Sequence, residues 1–414
     1  MTIHLYAEHL MNIRSLSLQA SLSTVSNKET RATLSADGST LTLAHEGEVA
    51  TIKLPISLPG GHNDATLTIP AAPTKDLSFR VSLSEKPGTN GLPTSGTLED
   101  TNVVPWTAPS LTPDTEIACR TCGATIVERS RVKVWKDLPS ENWAEMMDFW
   151  HCHRPNVPHD DDHSLPRKGY SADSRLALEP GVGMIDPVDF ILTAADCSNV
   201  AIFTPSSNTT VNVDSIQCTS CSTPIGRIHS SSEGYKIRKL HLSVSTARDC
   251  AMASFDIQRW LACHLLSSME SQGVRKFTIQ KINGGELVLK LWIFTPDISI
   301  SSSAAKDAEP IRCTKILWKD DIAAPSESGA LNRQALAEGE LELPSDEMQL
   351  LRELLAQSAA LLPQSAKTFQ SWNVALLQRF TRAEGDPQRD SAAHVFLPEV
   401  PDVQNKEILS ALTS

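Results

Sequence analysis

Cys119-Arg120-Thr121-Cys122 and Cys218-Thr219-Ser220-Cys221 repeat one short grammar, two thiols separated by two residues, and the two copies stand 95 residues apart. Each Cys-x-x-Cys knuckle aims two thiolates at one point. Four thiolates at about 2.3 Å with no open position describe a closed, structural Zn²⁺ site rather than a catalytic one. The separation is far too long for a local ribbon, so a metal held by Cys119, Cys122, Cys218 and Cys221 clips two remote hairpins of one β-rich domain. The competing readings are a redox pair and four unrelated core cysteines; a redox pair calls for a βαβ frame that neither knuckle has around it.

Upstream of the first knuckle, residues 1–85 alternate apolar and polar positions, as in Ile13-Arg14-Ser15-Leu16-Ser17-Leu18 and Thr40-Leu41-Thr42-Leu43. Period-two alternation is the signature of strands with one wet face. Ala36-Asp37-Gly38-Ser39 and Pro59-Gly60-Gly61 punctuate them, predicting an N-terminal antiparallel sandwich. Residues 86–114 are rich in Pro, Gly, Thr and Ser, the composition of a surface connection and a domain boundary. A zinc-clipped β domain follows over 115–240. Downstream, Phe255 to Met269 is amphipathic and Gly273 is its stop, so a helix is expected from about Ser254 to Gln272. Asn283-Gly284-Gly285 between two alternating runs is a hairpin signal. Ile311 to Trp318 reads as a further strand, and Pro344-Ser345-Asp346-Glu347 opens a helix running to Leu362, where Pro363 ends it. Phe369 to Phe380 is apolar enough to pack, but its pattern does not choose between helix and strand. The reading is thus a β-dominated α+β protein: an N-terminal antiparallel β domain, a central zinc-clipped β domain, an α+β portion over 241–382, and a mobile tail over 383–414.

Inside the central domain, the segment 138–163 carries the second cluster of chemistry. Ser140 and Glu141 have helix-start character. Trp143, Met146, Met147 and Trp150 then recur at offsets of three, four and seven, lining one helical face whose plain reading is core packing. At its end stand His151, Cys152 and His153, with His159, three aspartates and His163 close behind. Three roles for Cys152 stand side by side. Flanking His151, His153 and Arg154 would favour a thiolate and hence a nucleophile; Cys152, His153, His159 and His163 offer metal donors; and a cysteine at a helix end is often simply buried.

The chain has nine cysteines, an odd number, and Met1 to Leu10 lacks the basic and apolar regions of a secretory leader, so the thiols are read as reduced and the location as cytoplasmic, nuclear or both. No apolar run is long enough to span a bilayer. A formal charge of −12 argues against broad binding to nucleic acid or anionic membrane and makes a protein partner the better expectation. Gly181-Val182-Gly183 lacks the third glycine of a dinucleotide loop, and neither a Walker pattern nor a Gly-x-Ser-x-Gly elbow occurs.

Tyr6-Ala7-Glu8 with Asn12-Ile13-Arg14, Leu138-Pro139-Ser140 with Asn142-Trp143, Trp150, Cys152 and His153, and Leu361-Leu362-Pro363 with Phe369-Gln370-Ser371-Trp372-Asn373-Val374 resemble the HECT-like ubiquitin-conjugating enzyme E2-binding family. The resemblance spans Tyr6 to about Phe380. It implies an E3 ubiquitin-protein ligase-like activity: binding of a charged ubiquitin-conjugating enzyme and transfer of ubiquitin to a protein substrate, with Cys152 and His153 as the candidate catalytic pair. Members are also associated with pre-mRNA 3′-end processing, which implies a non-catalytic adaptor or chaperone holding a client as the alternative. Ordinary HECT ligases keep their nucleophile near the C-terminus, whereas no cysteine follows Cys313 here.

Overall fold

The computed structural model describes residues 3–58, 66–67, 72–83, 102–138, 178–203, 215–229, 234–282, 284, 287–307, 309–322, 338–381 and 384. The tail beyond Glu384 and the segment 139–177, with Trp143, Met147, Trp150, Cys152 and His153, lie outside these residues.

The alternation of the N-terminal third produces the sandwich expected of it. His4–Leu10, Ser15–Ser21 and Asp76–Ser82 pair antiparallel in one layer. Arg31–Leu34, Thr40–His45, Glu48–Lys53 and Thr66–Leu67 form the other. Every second residue of Thr40–His45 is buried, and Leu5, Leu16, Leu18 and Leu43 meet between the layers as one apolar core.

This first layer does not end at the sandwich. Tyr6 to His9 pair with Ser299 to Ser302, the last residues of the sixteen-residue strand Leu287–Ser302, so N-terminal and C-terminal strands share one sheet, nine-stranded among the described residues. The long strand serves two neighbours because it is bent. Its register against Ile311–Ile322 shifts twice between Ile293 and Ile298, around Pro296, which cannot donate to a ladder. The Asp297 carboxylate accepts from Arg312 Nε at 2.9 Å and Nη2 at 2.6 Å, and Pro296 O accepts from Arg379 Nη1 at 2.9 Å and Thr314 Oγ1 at 3.0 Å. The stretch before the bend pairs with Lys276–Lys281, completing the expected hairpin, and Lys276–Lys281 in turn pairs in parallel with Glu338–Leu343.

Helix α1, Ile257–Gln272, and helix α2, Ser345–Ser358, cover one face of this C-terminal sheet. The Asp256 carboxylate accepts from Gln258 N at 2.9 Å to open α1, and Gly273 closes it at φ +65°. Contrary to the expected continuation to Leu362, α2 stops at Ser358 and tightens into a 3₁₀ turn, Ala359–Leu361. The undecided run 369–380 is settled as the strand Trp372–Gln378, whose burial on both faces removed the period-two signal.

Two further sheets carry the knuckles. One orders Val134–Asp137, Val182–Ile185, Asp189–Thr193, Gly234–Arg238, Pro224–His229, Ser215–Cys218 and Val200–Ile202; the other orders Leu242–Ser245, Glu116–Cys119 and Thr125–Val127. Ile117, Ile126, Phe190, Ile216, Ile225 and Ile237, all fully buried, fill the space between them. The chain over 102–114 joins this core instead of crossing the surface, because Trp106 and Leu111 are buried in it. Trp106 packs 5.2 Å from Trp260 of α1, which lies 4.8 Å from Phe380. Lys239, without solvent exposure, is enclosed in the same place, its Nζ 5.2 Å from the Phe190 ring and donating to Trp106 O at 3.3 Å. Burial pushes its ammonium down to about 8. No helix among the described residues is long and apolar enough to cross a membrane.

Candidate metal centre

The two knuckles are built alike, atom by atom. In the first, Cys119 ends Glu116–Cys119; Gly123 N donates to Cys119 O at 2.8 Å, and Cys119 N donates to Ala124 O at 2.8 Å. In the second, Cys218 ends Ser215–Cys218; Ser222 N donates to Cys218 O at 2.9 Å, and Cys218 N donates to Thr223 O at 3.0 Å. Gly123 at φ +73° and Ser222 at φ +57° occupy matching left-handed positions. A tight turn of this kind points both cysteines of a pair to the same side.

Folding then brings the pairs face to face. Cys119 Sγ lies 3.7 Å from Cys221 Sγ, Cys122 Sγ lies 3.6 Å from Cys218 Sγ, and all four sulfurs lie within 4.8 Å of one another. Metal–sulfur bonds of about 2.3 Å arranged tetrahedrally give a sulfur–sulfur edge of about 3.8 Å, so the cluster has the dimensions of an S₄ metal site. Cys119 and Cys218 are buried, whereas Cys122 is exposed at the rim. Their protonation fits the same chemistry. The Thr223 hydroxyl and N–H hold the Cys221 thiol down at about 6. The Ala124 N–H favours a thiolate at Cys122 too, but desolvation and the three neighbouring sulfurs outweigh it and push that thiol up to about 12. Four thiolates this close repel one another unless a cation sits among them.

Asn199, a residue that carries no motif, links the knuckles outside the sulfurs. Its Nδ2 donates to Thr125 O at 2.9 Å beside the first, and its O accepts from Thr219 N at 3.0 Å in the second. Its backbone is left-handed, φ +55°. The first knuckle is also anchored from behind, where Arg120 Nη1 donates to Phe255 O at 2.7 Å.

A second polar constellation lies in a cleft of about 890 Å³ between the seven-stranded sheet and α1 and α2. Arg238 forms an ion pair with Glu347, and its Nη2 lies 3.3 Å from His264 Nδ1. Lys236 stands 3.0 Å from Asp186 and 3.2 Å from Asp189. Against its burial, Arg238 holds the Glu347 carboxyl at about 2, while burial and then the Arg238 charge push the His264 imidazole down to about 3. Sequence pattern gave no sign of this cluster, since its members come from strands and helices far apart in the chain and show no shared spacing. Of the four described thiols outside the tetrad, Cys250 is exposed, and burial pushes Cys197, Cys263 and Cys313 up to about 12.

The sequence profile of the HECT-like ubiquitin-conjugating enzyme (E2)-binding family matches residues 8–374, a span holding both knuckles and both halves of the nine-stranded sheet. The chain belongs to that family. Relatives of this family member include an uncharacterized protein of Saccharomyces cerevisiae, 27% identical over 65% of this chain and 71% of that protein. An uncharacterized protein of Schizosaccharomyces pombe is 25% identical over 69% of this chain and 80% of its own length. A Homo sapiens protein named as an E3 ubiquitin-protein ligase is 23% identical over 63% of this chain and 72% of that protein. No solved structure matches the chain.

Proposed function

We propose that this chain is an E3-like protein that binds a ubiquitin-conjugating enzyme and promotes ubiquitin transfer to protein substrates, with Cys119, Cys122, Cys218 and Cys221 holding one structural Zn²⁺. The observation that carries the first part is the family match across residues 8–374. The second part rests on four sulfurs within 4.8 Å of one another in the S₄ geometry that zinc favours. The metal supplies folding energy and no chemistry, since all four positions around it are filled by thiolates.

Covalent relay assigns the transfer step to Cys152. Its thiolate attacks the thioester carbonyl of the charged conjugating enzyme, a new thioester forms on Cys152 and the enzyme's cysteine leaves as thiolate; His153 stabilises the anion before attack. Cys197, Cys263 and Cys313 are unsuited to that step because burial keeps their thiols protonated. The test is a comparison of reducing and non-reducing gels after incubation with a ubiquitin-charged conjugating enzyme. A reductant-sensitive ubiquitin adduct on the parent, absent from Cys152→Ser at unchanged metal content, is the expected result. Transfer unaffected by Cys152→Ser moves the function to non-covalent positioning of the enzyme. Failure to bind any charged conjugating enzyme overturns the ligase reading in favour of an adaptor that holds a client.

A further inference from the structure

One edge of the C-terminal sheet opens onto the cleft. Among the described residues Glu338–Leu343 pairs only with Lys276–Lys281. Its Glu340, Leu341 and Glu342 line the cleft of about 890 Å³, a volume within the range of ligand sites. Ile282 N donates to Leu343 O at 2.9 Å. Successive residues of a strand turn their backbone groups to opposite sides, so Leu341 and Leu343 bond toward Lys276–Lys281 and Glu340 and Glu342 turn theirs to the free edge. There Glu340 O accepts from Gln272 Nε2 at 3.0 Å. Among the described residues, the Glu340 N–H and both backbone groups of Glu342 have no partner. Unpaired edge groups are the template on which another strand is added.

The side chains name the charge of that strand. Leu341 and Leu343 face the helix-side core, so Glu338, Glu340 and Glu342 share the opposite face. Lys290 compensates Glu338 at 3.0 Å. Glu340 and Glu342 are exposed and stand opposite the neutral Thr278 and Gln280. Among the described residues, neither has a lysine, arginine or histidine at ion-pair distance. The cleft itself has the same sign. Seven carboxylates line it against three arginines or lysines, and carboxylates still outnumber cations with its three histidines counted. Of those cations, Lys236 is held by Asp186 and Asp189, and Arg238 by Glu347. Asp189, 2% exposed, even so keeps Oδ1 without a hydrogen-bond partner among the described residues.

We propose that an extended basic segment of a partner protein adds as a strand to Glu338–Leu343. Its backbone bonds to Glu340 and Glu342, its lysines or arginines meet their carboxylates, and its alternate, apolar residues turn into the cleft. Opposite charges directly across a strand pair stabilise it and like charges destabilise it. A second copy paired edge to edge would set these glutamates against each other, and an acidic segment or a nucleic acid would meet the same repulsion. The chain's net charge of −12 adds long-range attraction for a basic partner. The edge is independent of the metal centre and of the ubiquitin reading, so either can fail without the other.

The test is fluorescence anisotropy of the full chain with a fluorescein-labelled peptide alternating Lys with Val. Saturable binding that weakens with salt is expected. Glu340→Lys/Glu342→Lys should weaken it about tenfold or more, and so should Glu342→Pro, which removes an N–H that no described residue uses. Both change exposed residues and should leave metal content and melting as in the parent. On the peptide, N-methylation of one set of alternate residues should abolish binding and of the other set should spare it, because only one set faces the edge. That readout does not depend on how the variants fold. Absence of saturable binding, equal binding of a peptide alternating Glu with Val, or binding that survives N-methylation of each set in turn would overturn the proposal. So would a dimer of the chain in ultracentrifugation that Glu340→Lys/Glu342→Lys disperses, since the edge would then belong to a second copy.

Discussion

Cys218→Ser is the sharpest perturbation of the proposed zinc clip. Cys218 has no solvent exposure, and its backbone N–H and C=O are already bonded to Thr223 and Ser222. Serine keeps the turn and nearly the same volume, so only ligation changes. Apparent binding energies of structural Zn²⁺ are about 10–16 kcal/mol, as large as the roughly 5–15 kcal/mol that separates a folded domain from its unfolded chain. Even partial loss of that energy should melt the two central sheets, which share no strand pairing among the described residues and meet through their apolar core, the hydrogen bonds of Ser198 and Asn199, and the sulfurs. Metal analysis should find one equivalent of zinc on the parent and none on the variant. Hydrogen exchange should then lose protection over 116–127 and 215–229 while strands at 40–53, in a separate core, retain it. Cys250→Ser, at an exposed thiol, is the control and should change nothing. The reasoning is refuted if Cys218→Ser keeps a full equivalent of metal and the parent's melting temperature.

Three further outcomes are expected. Trp260→Ala removes a ring that is 1% exposed and packed, tilted or edge-on, among Trp106, Phe255 and Phe380, and should cost about 3–5 kcal/mol in urea denaturation; a cost below about 1 kcal/mol would place the ring outside the core. Glu347→Gln removes the nearer carboxylate of Arg238, whose side chain is 14% exposed, leaving Asp189 at 3.9 Å, and should cost about 1.5–3 kcal/mol, whereas replacing both partners by Met should recover much of it; equal loss in single and double variants would show that the ion pair is not what matters. Stability should fall on acidification in two overlapping windows. The unfolded chain protonates its histidine near 6.5 while folded His264 resists until about 3, and folded Glu347 stays ionised down to about 2, below the ordinary carboxylate value of 4.5. In both cases the unfolded state binds the proton first, so acid favours unfolding; denaturant midpoints measured against pH should show the slope, and His264→Asn should flatten its upper part.

Local chemistry was legible in the sequence wherever a few neighbouring residues suffice to fix geometry. Asn283-Gly284-Gly285 between alternating runs gave the hairpin that ends in Leu287–Ser302, and Gly273 gave the stop of α1 because only a left-handed residue closes that helix. The duplicated Cys-x-x-Cys gave four convergent thiols, because a tight turn forces both sulfurs of each pair to one side. Tertiary structure alone decided which strands became neighbours. Nothing in Tyr6 to His9 names Ser299 to Ser302 as their partners, since backbone pairing is blind to sequence and is chosen by which faces can be buried together. The same holds for Lys239 among aromatic rings and for Arg238 against Glu347. A lysine or glutamate reads as a solvated side chain until packing removes the water around it, and burial is a property of the assembled core that no single stretch of residues encodes.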